Sequence, residues 1–139
     1  MSRKIRIKKG ADIRLKGRPT QTVDAAASTA TYAVQPPNYH GITPKLEVKE
    51  GSAVQAGSPL FFSKEAPAMK FLSPTSGKVK SIVRGAKRRI LAVIVESDGK
   101  NDAVALDKID VASASAEVIR KAMLSHGMFP FVEQRPFAD

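Results

Sequence analysis

The side chains in this sequence with the most to offer chemically are cations, and what they offer is the holding of anions. Lys87, Arg88 and Arg89 follow one another directly, and no Asp or Glu interrupts the interval from Glu65 to Glu96, which also carries Lys70, Lys78, Lys80 and Arg84. A second basic cluster fills the first 18 residues, where Arg3, Lys4, Arg6, Lys8, Lys9, Arg14, Lys16 and Arg18 face only Asp12. The formal charge of +10 is therefore concentrated in two places. Such a field favours an acidic protein surface, anionic headgroups or nucleic acid. Lys87, Arg88 and Arg89 are the candidate contact to a partner or a membrane. Groups suited to catalysis are sparse. His40 and His126 are the only histidines, they lie far apart, and no Asp, Glu or Cys cluster stands near them at metal spacing. The absence of Cys excludes disulfides, thiolate metal sites and Cys-held iron–sulfur clusters. There is no Ser/His/Asp arrangement, and Gly85-Ala86-Lys87-Arg88-Arg89 lacks the spacing of a phosphate-binding loop. No catalytic residue, cofactor-binding residue or metal ligand is expected in this stretch.

The elements that carry the cations are short strands. Ile5-Arg6-Ile7-Lys8 and Ile13-Arg14-Leu15-Lys16 alternate with period two around the turn Lys9-Gly10-Ala11-Asp12, predicting an N-terminal β-hairpin. Residues 19–31 are rich in Ala, Ser and Thr and read as a loop. Thr31-Tyr32-Ala33-Val34 is a strand stopped by Pro36-Pro37. Val48-x-x-Gly51-x-x-Val54-x-x-Gly57-x-x-Leu60 divides apolar residues into short extended pieces, with Gly supplying positive φ at the turns. Ile82-Val83-Arg84-Gly85 repeats the unit and precedes the strand Ile90–Val95, the longest apolar run and far short of the roughly 20 residues that span a bilayer. Ser97–Asp102 is a turn cluster. Helical character appears only at Ala116–Ser125, with Ile119 and Met123 at i, i+4, Ser115 as N-cap and Gly127 as the stop. His40 reads as a loop residue and His126 as a helix-end cation. The apolar tail Met128-Phe129-Pro130-Phe131-Val132 has no partner visible in the sequence, which implies that the chain stops inside a larger protein.

Two halves, 42–60 and 72–95, with matching punctuation resemble the lipoyl/biotinyl type of barrel-sandwich hybrid and imply an approximate two-fold between them. The expected fold is mainly β: a barrel-sandwich hybrid over residues 1–110 with the N-terminal hairpin, then a short C-terminal helix and linker over 111–139. Ala68-Met69-Lys70-Phe71 resembles the Ala-Met-Lys-Met motif of biotin carriers. A swinging-arm lysine needs an exposed turn, however, and Lys70, four residues before Pro74, falls inside a strand. The hairpin tip is nearer Ser63-Lys64-Glu65-Ala66-Pro67, so Lys70 is expected to be unmodified. Ser28-Thr29-Ala30-Thr31 is similar to sequences that carry covalent flavin phosphate in some respiratory subunits, but the surrounding motif is missing.

The order Ile7-Lys8-Lys9-Gly10-x-Asp12, Leu15-x-Gly17, Tyr39-x-Gly41-x-x-Pro44, Val48-x-x-Gly51, Phe71-x-Ser73-Pro74-x-Ser76-Gly77-x-Val79 and Arg84-Gly85-x-Lys87-Arg88 resembles the N-terminus of the A subunit in the family of sodium-translocating NADH:quinone oxidoreductases. Gly127-Met128-Phe129-Pro130 and Arg135-Pro136-Phe137 are similar to the start of that subunit's next, α/β domain. The resemblance implies a peripheral subunit on the cytoplasmic face of a bacterial inner membrane. Its partners would be the other subunits of a complex that passes electrons from NADH through flavins and an iron–sulfur centre to ubiquinone or menaquinone and exports sodium. Those cofactors would lie on other parts of the complex, with none in this fragment. The related ferredoxin:NAD oxidoreductase C subunit shares the hybrid domain and is the nearest alternative. A nucleic-acid-binding β-barrel is the other. Against it, aromatic residues make up 6% of the chain, and none lies between Phe71 and Phe129 to stack bases beside the cations.

Overall fold

Strands form where the sequence alternates or runs apolar, and they break where glycine and proline interrupt the ladder. In a computed structural model that describes residues 16–132, the strands are β1 (Thr31–Val34), β2 (Pro44–Leu46), β3 (Ala53–Val54), β4 (Pro59–Ser63), β5 (Lys70–Leu72), β6 (Gly77–Arg84) and β7 (Ile90–Ser97). The predicted N-terminal hairpin and Arg135-Pro136-Phe137 lie outside the described residues. One sheet has the order β1-β7-β6-β3 and the other β2-β4-β5, with every pairing antiparallel. The four-stranded sheet joins strands of both sequence halves, β3 beside β6 and β7, whereas β2, β4 and β5 form a sheet of their own. The halves are built of strands of unequal length, since β2 and β3 have three and two residues whereas β6 and β7 have eight each.

The punctuation read from the sequence acts through two like turns. Gly51 (φ +85°) and Gly57 (φ +91°) occupy the third positions of Lys49–Ser52 and Gln55–Ser58, where only a residue tolerant of positive φ fits. In each turn the closing serine N–H donates to the first residue's carbonyl, at 3.1 and 2.9 Å. Its Oγ accepts the first residue's N–H, again at 3.1 and 2.9 Å. Gly85 does not follow this pattern. Its φ is −103°, and the left-handed residues of the β6–β7 loop are Lys87 and Arg88 instead.

The core lies between the sheets, where Val54, Leu60, Phe61, Phe71, Val79, Ile90, Val93 and Val95 are buried. An aromatic series runs through it to the surface. Phe61 stacks on Phe71 at 4.6 Å, Tyr39 meets Phe71 edge-on at 4.5 Å, and Phe131 meets Tyr39 at 6.2 Å. Burial pushes the Tyr39 phenol pKa up. Below the core, Ser73, Thr75 and Ser76 are buried yet bonded: Ser73 Oγ donates to the Thr75 carbonyl (2.7 Å), and Ser76 Oγ donates to Asp98 (2.6 Å) while accepting from Asp102 N–H (3.1 Å). This network ties the start of β6 to the predicted turn cluster after β7.

Helix α1 spans Ala116–Ser125, with Ser115 Oγ accepting the Val118 N–H at its N-terminus. It ends in a left-handed Gly127 (φ +63°) that donates to Leu124, while the Met128 N–H reaches back to the Met123 carbonyl at 2.9 Å. The tail after it is not without a partner, as the sequence implied. Gly127 sits so close to Leu72 that an added Cβ would meet its Cδ1 at 2.5 Å, and Phe131 rests against Tyr39. Met128, Phe131 and Val132 still show more than half of their surface to solvent.

Candidate partner-binding surface

The cations of the central basic stretch come from β5, β6 and the loop joining β6 to β7, and tertiary structure sorts them into two kinds. Lys70 pairs with Glu47 at 3.0 Å and Lys80 with Glu96 at 3.0 Å, so acids distant in sequence break the field expected along this stretch. Glu50 accepts the backbone N–H of Ile82 at 2.7 Å. Such exposed pairs contribute at most about 1 kcal/mol each, but they lower the local potential. Among the described residues, Lys87, Arg88 and Arg89 make no ion pair, and all three are exposed.

The loop that presents them is a tight turn. Arg89 N–H donates to the Ala86 carbonyl (3.1 Å) and Gly85 N–H to the Arg89 carbonyl (2.8 Å). The two residues between, Lys87 (φ 53°, ψ 31°) and Arg88 (φ 61°), are both left-handed. That is the geometry of a type I′ hairpin turn, for which Asn-Gly is the usual sequence. A side chain in this region costs about 1–2 kcal/mol per residue. Arg84 Nη1 donates to the Arg88 carbonyl at 3.3 Å and braces the turn from beneath. Positive φ at Lys87 and Arg88 could not have been read from sequence, since neither residue type favours it.

Arg89 also lines a cleft of about 220 Å³ together with Pro36, Pro37, His40, Pro44 and Ile90. The fold therefore brings His40, a loop residue by its sequence neighbours, into the lining of the same cleft as Arg89 of the basic turn. The signal for this was present only as a short turn after β1, the 3-10 segment Pro36–Asn38, that folds the chain back over β7. His126 goes elsewhere. It lines a larger, mainly apolar cavity of about 620 Å³ with Tyr39, Phe71, Leu72, Met128 and Phe131. The two histidines are not brought together, and the described residues hold no group of three or more His, Cys, Asp or Glu suited to a metal.

Lys70 opens β5, as its spacing from Pro74 implied, and its ammonium is engaged by Glu47. The tip between β4 and β5 is clasped instead of free. Lys64 N–H donates to the Thr43 carbonyl at 3.0 Å. Thr43 N–H (3.1 Å) and Ser63 Oγ (2.9 Å) both donate to the Glu65 carboxylate. Hydrogen bonds from Thr43 first, then from its own backbone N–H and from Ser63, lower the Glu65 pKa to about 2 from 4.5. A depressed carboxylate stabilises the fold fully above its unfolded pKa and loses that contribution as pH falls through the folded one. On acidification from about pH 4.5 to 2, the wild-type chain should lose thermal stability more steeply than Glu65→Gln, with a constant difference above that window. Parallel losses in both proteins would show that the clasp carries no linkage. Ser28 to Thr31 leads into β1, with Thr29 Oγ1 donating only to the Thr31 carbonyl at 3.3 Å.

Two antiparallel sheets packed on one apolar core define a barrel-sandwich hybrid domain. A family model described as the NqrA N-terminal barrel-sandwich hybrid domain matches residues 5–98, more than half of the chain. Proteins named as the A subunit of Na(+)-translocating NADH-quinone reductase are 37% identical in Shewanella amazonensis, 34% in Neisseria meningitidis serogroup B and 35% in Vibrio vulnificus, each over 137 residues and 96% of this chain. The chain belongs to this NqrA family and matches its N-terminal domain. It spans 30–31% of the length of these relatives.

Proposed function

We propose that this chain is the N-terminal, non-catalytic docking part of an NqrA subunit in a sodium-translocating NADH–quinone reductase. It would help to seat that subunit on the other subunits at the cytoplasmic face of the membrane, as a peripheral element. Electron transfer from NADH to quinone and the coupled export of sodium would belong to the assembled complex, with flavins, an iron–sulfur centre and quinone held by its other parts. The observation that carries this reading is the match of nearly the whole chain to about a third of proteins so named, together with the match of residues 5–98 to their N-terminal domain. The chemistry of the residues agrees with it: the sequence has no Cys to ligate a cluster, and no described helix is long and apolar enough to cross a membrane.

The test is genetic and biochemical together. An affinity tag on the full-length subunit should co-purify, from detergent-solubilised membranes, an assembly with sodium-stimulated NADH–quinone reductase activity. Deleting the gene should abolish that activity in membranes. A tagged subunit that purifies alone, from a strain whose membranes keep the activity after deletion, would defeat the reading.

A further inference from the structure

We propose that the β6–β7 turn and the cleft beside it form a docking site for an acidic segment of a neighbouring subunit, with one carboxylate of that segment seated between His40 and Arg89. The proposal rests on the functional reading above and gives it a surface and a partner chemistry.

Three observations converge on this corner of the fold. The first is the separation of paired from unpaired cations. Lys70 and Lys80 pair with Glu47 and Glu96, whereas Lys87, Arg88 and Arg89, like Lys78 and Arg84, have no ion pair among the described residues, and the turn sets three such cations side by side in solvent. Charge complementarity with a partner's acids is what this turn lacks and can accept. The second is the backbone. Lys87 and Arg88 occupy the two left-handed positions of a turn that Asn-Gly would satisfy with less strain. Strained residues of this kind mark places where something other than local stability is served, and here the turn presents two cations to solvent. The third is the cleft. Three of its lining residues are prolines, Pro36, Pro37 and Pro44, rigid in φ, and Arg89 and His40 line it beside them. A guanidinium offers a planar fork of donors that matches a carboxylate. A pocket of about 220 Å³ suits a single side chain better than a flat array of headgroups.

The geometry also separates a protein partner from a lipid surface. The exposed apolar residues that flank the turn are Val83 and Leu91, at 40% and 37% exposure, which is little to insert among acyl chains. Three cations on one turn, with no large apolar patch beside them among the described residues, hold a membrane only weakly. A segment that lays one carboxylate in the cleft and further acids against Lys87 and Arg88 uses all three features at once.

The experiment uses the full-length protein expressed with the rest of its complex. A photo-cross-linking residue replaces Ala86, which is exposed in the turn and carries none of the charges. Irradiation followed by peptide mass spectrometry should identify an Asp- or Glu-rich segment of another subunit. Cross-links confined to lipid, to the protein's own chain, or absent altogether would overturn the proposal. In parallel, K87E/R88E/R89E should reduce recovery of the other subunits with the tagged one by about tenfold or more, and by less as salt is raised. The neutral K87Q/R88Q/R89Q, checked for an unchanged melting temperature, should show a smaller loss in the same direction. K87N/R88G should raise the melting temperature while still lowering recovery, a split that a merely structural turn cannot produce. Wild-type recovery in the charge-reversed protein defeats the docking site alone. If the wild-type protein itself recovers no partners, the functional reading fails and the docking site fails with it.

Discussion

Gly77→Ala should destabilise the domain by about 4 kcal/mol or more, enough to leave much of the 139-residue chain unfolded at 37 °C. Gly77 opens β6 at φ +144°, where L side chains are rarely found, and its Cβ would overlap the backbone carbonyl oxygen of Glu96. That carbonyl belongs to β7 and cannot rotate aside like a side chain, because Gly77 and Lys78 are paired with Ser97 and Glu96 across the ladder. Relief requires opening the end of the β6–β7 hairpin. The opening would also strain the adjoining bonds of Ser76 to Asp98 and Asp102. Gly51→Ala is the control. Its φ of +85° is also unsuited to Ala, but nothing lies within 4 Å of the added carbon, so only the conformational cost of about 1–2 kcal/mol applies. Urea unfolding of both variants separates overlap from strain. Equal losses in the two would refute the overlap.

Phe61→Ala should cost about 3–5 kcal/mol, and the same truncation at Phe131 less than about 1.5 kcal/mol. Both residues belong to one aromatic series, but they stand at opposite ends of it. Phe61 is fully buried on β4 and stacked against Phe71 with an interplanar angle of 13°. Its removal leaves a ring-sized void between the two sheets that strands pinned on both sides cannot collapse to fill. Phe131 is 74% exposed and touches the series only through the edge of Tyr39. Chemical denaturation midpoints with unchanged slopes would establish the gradient. A loss at Phe131 as large as that at Phe61 would mean that the segment after α1 is an integral part of the core.

The same contrast between local and distant interactions explains what could be read without coordinates. The sequence by itself determined the elements whose signals are contiguous. Thr31–Val34 and Ile90–Ser97 are strands because β-branched and aromatic residues run up to a proline or turn cluster, and Ala116–Ser125 is a helix between Ser115 and Gly127 as its cap and stop residues require. The placing of Lys70 in a strand, away from the tip at residues 63–67, followed from counting back from Pro74. Family membership was legible for a related reason, because glycines and prolines at fixed spacing record backbone conformations that few other residues adopt. Tertiary structure alone decided the character of the basic surface. Glu47 reaches Lys70 across 23 residues and Glu50 reaches the Ile82 N–H across 32, while Lys80 meets Glu96 through the β6–β7 register. No periodicity encodes those distances, since they depend on which strands become neighbours and in which alignment. His40 and Arg89 line one cleft because the chain after β1 folds back over β7, and Lys87 and Arg88 turn left-handed because the β6–β7 hairpin must close with the twist of its strands.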